Sequence, residues 1–173
     1  MLHQFQPPFV FHTTVHEHEQ IKQSILPKVL GNLKPDLFDA QKMCYTCYNK
    51  ELDVGFNPAR NEIQEIIFNP FKSLVTEYRL SVSNVTLQGL WWNYYMPGGH
   101  THKHFHREDD YSFIYLLHLT DENTTVFELS GEIYSTEHIT EGNVIIFPSF
   151  LTHWARPCNN ERAVIVGNLT VEC

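Results

Sequence analysis

A chain of 173 residues is long enough for one domain with its own core and short for two. Its formal net charge of −8 argues against a nucleic-acid partner, because neutralising phosphates requires an excess of lysine and arginine. No run approaches the roughly 18 apolar residues of a membrane-spanning helix, so we expect no membrane partner. The start of the sequence lacks a basic region followed by an apolar stretch, and we therefore expect a cytoplasmic protein without a secretory signal.

The first half of the sequence predicts two helices among irregular segments. Residues 1–15 look extended, and apolar residues recur near helical spacing from Glu17 to about Leu30. A second amphipathic pattern covers about Asn61 to Ser81. Each pattern contains a proline at which a kink or break is expected. The stretch from 32 to 60 has no clear period and predicts loops and short strands around the substrate.

The second half predicts short β-strands separated by turn signals such as Pro97-Gly98-Gly99 and Ser130-Gly131. About eight such strands indicate an antiparallel sandwich or barrel, mainly β, with the two helices on its outside. We predict one domain over 1–173, in which a helical and irregular part (1–84) packs on a β core (85–173). The clearest predicted strands cover residues 85–95, 112–119, 124–129, 143–147, 151–156 and 162–171.

The four cysteines give no clear site. Cys44 and Cys47 form a Cys-X-X-Cys pair, whereas Cys158 and Cys173 stand alone. A zinc ribbon would need a second pair at similar spacing. In an intracellular chain we expect ordinary free thiols.

Histidines occupy every second position from His100 to His106, ahead of a predicted strand. Alternate residues of an extended segment share a face, so a pair such as His104 and His106 can direct two imidazoles to one point. Any adjacent pair of the four meets this condition, and a solvated polar edge is the alternative. His153, on a later predicted strand, supplies the third candidate ligand. Three imidazoles suit iron, copper, zinc or nickel and leave coordination positions open.

An acidic trio, Glu108-Asp109-Asp110, follows the histidines. Three neutral imidazoles leave the charge of a divalent metal uncompensated, so one of these carboxylates is a candidate ligand or tunes the site from outside it. A solvated turn is the interpretation that we favour for the trio.

Arg162 begins the last predicted strand, nine residues after His153. The alternation of that strand allows its side chain to point inward. A guanidinium inside a barrel needs an anion, and its planar fork fits a carboxylate in two-point contact. The alternative is a surface arginine paired with Glu161 or Glu172.

Taken together, these motifs resemble the iron/2-oxoglutarate-dependent oxygenases, particularly a small branch found in bacterial and phage genomes. The resemblance covers about Leu87 to Leu169, roughly half of the chain. It implies a double-stranded β-helix, or jelly roll, that holds Fe(II) at its open end, and it leaves open a phage-encoded source. The residues that carry it are Trp92-Asn93, His104-Phe105-His106, Ser112 to Leu116, Gly142 to Ser149, His153, Arg162 and Asn168.

The resemblance implies an iron site made by His104, His106 and His153. The superfamily commonly has aspartate or glutamate where this chain has His106, although the small branch often has histidine there. If His106 is not a ligand, Asp109 or Asp110 is the first substitute.

The resemblance also implies 2-oxoglutarate as co-substrate. Arg162 then binds its distal carboxylate, and Asn93, Tyr115 and Asn168 are candidates for further co-substrate contacts. The implied activity is hydroxylation of an unidentified substrate, either a peptide side chain or a small molecule, with release of succinate and CO2.

Two other classes compete with this interpretation. A cupin-type metalloenzyme that does not use 2-oxoglutarate fits the His-X-His motif, although Phe150 stands where that class usually has glycine. A non-enzymatic β-sandwich module, in which the histidines are incidental, is the other.

Overall fold

The computed structural model describes residues 10–48 and 57–172, with 57–62 described through their backbone. The helices are α1 (His18–Leu30) and α2 (Asn57–Glu77), and both continue through their internal prolines. No helix among the described residues is long and apolar enough to cross a membrane. The strands are β1 (Phe11–Thr14), β2 (Phe38–Asp39), β3 (Cys44–Thr46), β4 (Asn84–Tyr95), β5 (Thr101–His104), β6 (Tyr111–Leu119), β7 (Thr125–Leu129), β8 (Glu132–Ser135), β9 (Asn143–Pro148), β10 (Thr152–Ala155) and β11 (Arg162–Glu172).

The strands form two antiparallel sheets. The larger has seven strands in the order β1-β9-β6-β11-β4-β3-β2, and the smaller has four in the order β5-β10-β7-β8. This arrangement confirms the predicted mainly β jelly roll with two helices. The N-terminal part does more than cover the core, because β1 pairs with β9 and β3 pairs with β4. Non-local pairing of that kind leaves no periodic signal in the sequence.

Side-chain alternation divides the large sheet between two cores. Phe113, Tyr115 and Leu117 of β6 face one side and belong to the cluster that includes the apolar residues of both helices. Ile114 and Leu116 face the other side, where they join residues such as Phe127 of the small sheet. One core therefore lies between the helices and the large sheet, and the other lies between the two sheets. The site lies in the space between the sheets.

The predicted turn at Ser130-Gly131 is confirmed. Both residues have positive φ (54° and 84°), and the flanking Leu129 and Glu132 are paired across β7 and β8. Two consecutive residues with positive φ are typical of the tight hairpin turn whose twist matches that of the strands. The chain therefore reverses here within two residues.

Gly167 permits the close approach of β11 and β4. A Cβ at this position would lie 2.3 Å from the carbonyl oxygen of Gly89 and 2.7 Å from the ring of Phe113. We expect Gly167→Ala to lower the free energy of unfolding by about 1–3 kcal/mol, the usual cost of overpacking, as measured by urea denaturation.

The matched control is Gly89→Ala on the neighbouring strand, where a Cβ would meet only the Trp91 side chain, at 3.3 Å. That variant should change the free energy of unfolding by less than about 1 kcal/mol, since only the far part of a side chain has to adjust. Equal effects of the two substitutions would contradict this account of the packing.

Candidate metal centre

Three chain segments bring His104, His106 and His153 together. His104 ends β5 and lies directly opposite His153 of β10 in the antiparallel register. His106 lies two residues beyond β5, and its backbone N–H donates to the carbonyl oxygen of Ser149 at 2.8 Å. The strand pairing and this hydrogen bond fix all three backbones around one point at the edge of the small sheet.

The three imidazoles can surround one metal ion. One ligand atom from each ring lies within 4.8 Å of the other two. Metal–nitrogen bonds of about 2.1 Å allow donors on one ion to be at most about 4.2 Å apart, so small ring rotations complete the site. His153 is buried with 6% exposure, whereas His104 is exposed. The centre is therefore anchored inside and open to solvent on one side.

Hydrogen bonds orient two of the three rings. Nδ1 of His104 lies 2.8 Å from the carbonyl oxygen of His102, and Nδ1 of His153 lies 2.9 Å from that of Leu151. A carbonyl oxygen only accepts, so each ring carries a proton on Nδ1 and leaves Nε2 free to bind a metal.

The environment keeps two of the imidazoles neutral. Burial, together with the nearby His104, lowers the pKa of His153 to about 3. The same two causes lower the pKa of His106 to about 4. Neutral imidazole is the form that binds a metal, so both rings are available as ligands throughout the neutral range. The donor set fits a divalent transition metal.

A cavity of about 280 Å³ opens beside the histidines, and Arg162 lines it. The Arg162 side chain is buried, with 3% exposure, and its guanidinium lies 4.2 Å from the centre of the Tyr95 ring. Among the described residues, its Nε and Nη1 atoms have no hydrogen-bond partner. A buried cation without an anion is costly, so the cavity is electrostatically suited to an anionic ligand.

The surface alternative for Arg162 does not hold. The carboxylate of Glu161 accepts a hydrogen bond from the Tyr94 hydroxyl at 2.6 Å. Glu172 is exposed and lies at the opposite end of β11. The inward orientation that the sequence suggested is the one that the structure has.

Two residues of β4 accompany Arg162 in the cavity. Asn93 lines it and donates through Nδ2 to the hydroxyl oxygen of Tyr95 at 3.3 Å. Sequence reasoning missed Tyr95, although its spacing of two from Asn93 places both on one face of the strand, and it pairs directly with Arg162. Burial raises the pKa of the Tyr95 hydroxyl, so this group remains a hydrogen-bond donor beside the guanidinium.

The structure does not bring Tyr115 to the cavity. Its side chain is fully buried in the core between helices and sheet, and its hydroxyl lies 2.7 Å from Nδ1 of His18 in α1. The inward positions of β6 are instead Ser112 and Ile114, which line the cavity. Tyr115 has the opposite parity on the strand and therefore faces the helices.

Neither predicted substitute carboxylate joins the histidine group found among the described residues. Asp110 accepts a hydrogen bond from the backbone N–H of Val171 at 2.8 Å and is thereby held near the C-terminal end of β11. Asp109 is partly buried; burial and its acidic neighbours raise its pKa, although a hydrogen bond from Asn168 acts in the opposite direction. The remaining predicted residue, Asn168, lines the cavity and also contacts His106.

The three cysteines within the described ranges are free thiols, as predicted, and the structure shows that all three are buried. Cys44 also lines the cavity. Burial raises the pKa of its thiol to about 12, so it is a neutral, unreactive group there. Cys173 lies outside the described residues.

Comparison with known proteins gives a consistent structural result. No protein-family model matches the sequence, and no curated protein matches it. Among solved structures, a prolyl-4-hydroxylase from Pseudomonas putida superposes with a TM-score of 0.62 at 13% identity, covering 96% of this chain and 94% of that chain. A 2OG-Fe(II) oxygenase family oxidoreductase from Burkholderia pseudomallei gives 0.63 at 11% identity over 93% of this chain and 84% of that chain. A viral collagen prolyl hydroxylase from Paramecium bursaria Chlorella virus-1 gives 0.61 at 10%, over 94% and 96%.

These similarities extend over nearly the whole chain at low identity, and they establish the fold. The chain has the jelly-roll fold of these structures, and three of its histidines could hold a metal ion. The fold that the resemblance of the sequence motifs implied is thus the fold that the structure has.

The lowered pKa values of His106 and His153 predict a pH dependence of stability. An unfolded histidine titrates near its usual value of about 6.5, so between that value and about 3 the unfolded chain binds more protons than the folded one. The free energy of unfolding of metal-free protein should therefore fall as the pH is lowered below about 6.5.

Urea denaturation at several pH values, in the presence of a chelator, measures this effect. His153→Asn removes one of the two groups, so its stability should fall less steeply with decreasing pH. An identical slope in wild type and variant would contradict the burial of a neutral His153.

Proposed function

We propose that this protein is an Fe(II)- and 2-oxoglutarate-dependent dioxygenase that hydroxylates a still unidentified substrate. His104, His106 and His153 would hold the iron. When bound, iron and co-substrate supply the redox chemistry that couples oxidative decarboxylation of 2-oxoglutarate, to succinate and CO2, with hydroxylation of a C–H bond.

The observation that carries the proposal is the buried Arg162 in the cavity that the three histidines also line. A metal centre alone does not require a buried guanidinium. A 2-oxo dicarboxylate requires both, because its 2-oxo acid end binds a metal while its distal carboxylate needs a cationic partner. The unpaired Nε and Nη1 atoms of Arg162 supply directional donors for that carboxylate.

The residues around Arg162 would orient the co-substrate. The Tyr95 ring supports the guanidinium from one face, at 4.2 Å, and its hydroxyl is a further donor. Asn93 holds that hydroxyl in place through its amide. The neutral thiol of Cys44 adds no competing charge to this end of the cavity.

The aromatic residues Tyr48 and Trp91, which also line the cavity, would suit an apolar or planar part of the substrate. The rings of Tyr48 and Trp91 lie 5.0 Å apart, and Trp91 lies 6.3 Å from His106. Aromatic faces next to the metal position would hold a substrate group while excluding water from it. Two structural neighbours are named prolyl hydroxylases, which makes a peptide side chain a reasonable first substrate class to test.

A cupin-type enzyme without 2-oxoglutarate is the second candidate, favoured by the third histidine in place of a carboxylate. It gives no role to Arg162, and the solved structures described above include a prolyl-4-hydroxylase and a 2OG-Fe(II) oxygenase family protein. The two candidates differ in whether 2-oxoglutarate binds.

Arg162→Ala tests the co-substrate assignment. Removing one partner of a buried, hydrogen-bonded charge pair costs about 2–5 kcal/mol, so the dissociation constant for 2-oxoglutarate should rise roughly thirtyfold or more. Calorimetric titration of anaerobic, metal-loaded protein measures this, and metal stoichiometry should remain that of the wild type.

Arg156→Ala is the matched control, because Arg156 is exposed and pairs with Glu137 on the surface. This variant should bind 2-oxoglutarate as the wild type does. Unchanged 2-oxoglutarate affinity in Arg162→Ala would remove the assignment and favour the cupin-type alternative.

A further inference from the structure

The three candidate ligands differ in what holds Nδ1. His104 and His153 each face a backbone carbonyl oxygen, which fixes the protonated nitrogen. Nδ1 of His106 instead lies 3.4 Å from Nδ2 of Asn168. His106 is therefore the one ligand of the three whose orientation depends on a side chain, and it occupies the position where the superfamily commonly has a carboxylate.

Asn168 belongs to a buried chain of polar side chains. Its Oδ1 accepts a hydrogen bond from the Ser112 hydroxyl at 2.9 Å, and the Ser112 and Ser149 hydroxyls are 2.8 Å apart. Ser149 is fully buried, Ser112 is 3% exposed and Asn168 is 8% exposed. A buried network of polar side chains destabilises the fold unless each of its groups has a hydrogen-bond partner. The chain ends at His106, whose backbone N–H is also bound by Ser149.

We propose that Asn168 is the positioning residue for His106, and that its amide turns when a metal binds Nε2 of His106, so that Oδ1 accepts a hydrogen bond from Nδ1–H. This inference rests on the proposed function, since it concerns the same iron site. It differs from the role in co-substrate binding that the sequence suggested for Asn168.

An amide can take this role because it carries both a donor and an acceptor. In the present orientation Nδ2 donates to Nδ1 of His106, which suits the metal-free ring. A ring that binds metal through Nε2 carries its proton on Nδ1 and needs an acceptor there. Turning the Asn168 amide by half a rotation presents Oδ1 to His106 and Nδ2 to Ser112. Either serine hydroxyl can donate within the pair, so the chain reverses without losing that contact. Asp109, which accepts from the amide in the present orientation, is partly open to water that can replace this contact.

The test is the affinity of the wild-type protein and Asn168 variants for Co(II), measured by competition with a chromophoric chelator without 2-oxoglutarate. Asn168→Leu keeps the approximate volume but offers no hydrogen bond, and it should weaken Co(II) binding about 10–100-fold, as loss of an outer-shell partner does. Asn168→Asp keeps an acceptor for Nδ1–H. Its dissociation constant for Co(II) should stay within about threefold of the wild-type value.

Asn143→Leu is the matched control. Asn143 is also 8% exposed and hydrogen-bonded, but its side-chain partners are Thr140 in the preceding turn and Thr14 of β1 rather than the histidines. It should lose thermal stability while retaining Co(II) affinity. If Asn168→Leu does not fold, Ser112→Ala takes its place, because it removes the hydroxyl that holds the amide, and it should weaken Co(II) binding about threefold or more.

Wild-type affinity in Asn168→Leu, or in Ser112→Ala when it takes its place, overturns the inference. Equal losses in Asn168→Leu and Asn168→Asp also overturn it, because they would show that only packing matters. Failure of the wild-type protein to bind Co(II) would instead contradict the proposed function, on which the inference depends.

Discussion

The alternation of side chains along β11 determines which of its residues line the cavity and which pack in the apolar core. Ala163 and Ile165 face the helices and belong to the apolar core beneath them. Arg162 and Asn168 have the opposite parity and line the cavity. Because β11 is paired on both sides over most of its length, a slip by one residue would exchange these two sets and is opposed by both cores. The placement of a buried cation is thus a consequence of the apolar packing on the other face.

The electrostatics of the site follow from that placement. Two of the candidate ligands, His106 and His153, are neutral because burial, together with the neighbouring His104, lowers their pKa values. Arg162 adds a buried cation to the same cavity, and its Nε and Nη1 atoms have no hydrogen-bond partner among the described residues. A divalent metal in this site would add further positive charge, and no carboxylate joins the three histidines within the described part of the chain. Under the proposed function, a dianionic co-substrate would offset this positive charge by contacting both the metal and the guanidinium.

Local patterns in the sequence predicted much of this arrangement. The predictions that were wrong or missing have a physical origin. The His-X-His spacing and the inward parity of Arg162 depend only on strand periodicity, so both could be derived. The resemblance implied a co-substrate contact for Tyr115, whereas the parity of this residue on β6 directs its side chain to His18 in α1. Tyr95 was missed because its role depends on pairing with Arg162, which is 67 positions away in the sequence, and such registers leave no local signal.

The sequence also did not predict that the N-terminal part contributes strands to the large sheet. β1 and β3 extend the large sheet by pairing with strands that are distant in sequence. The buried chain from Ser149 to Asn168 likewise joins residues from β6, β11 and the turn after β9. Periodicity reports which face a residue occupies but not which distant residue it meets there.

The most direct test of the central claim is an anaerobic titration of Fe(II)-loaded protein with 2-oxoglutarate, followed in the visible spectrum. Chelation of Fe(II) by a 2-oxo acid gives a weak metal-to-ligand charge-transfer band, and our account predicts that this band appears and saturates with 2-oxoglutarate. It should be absent in His153→Ala, which removes the buried ligand. Iron bound at full stoichiometry without any band would contradict a 2-oxoglutarate-dependent centre at these three histidines.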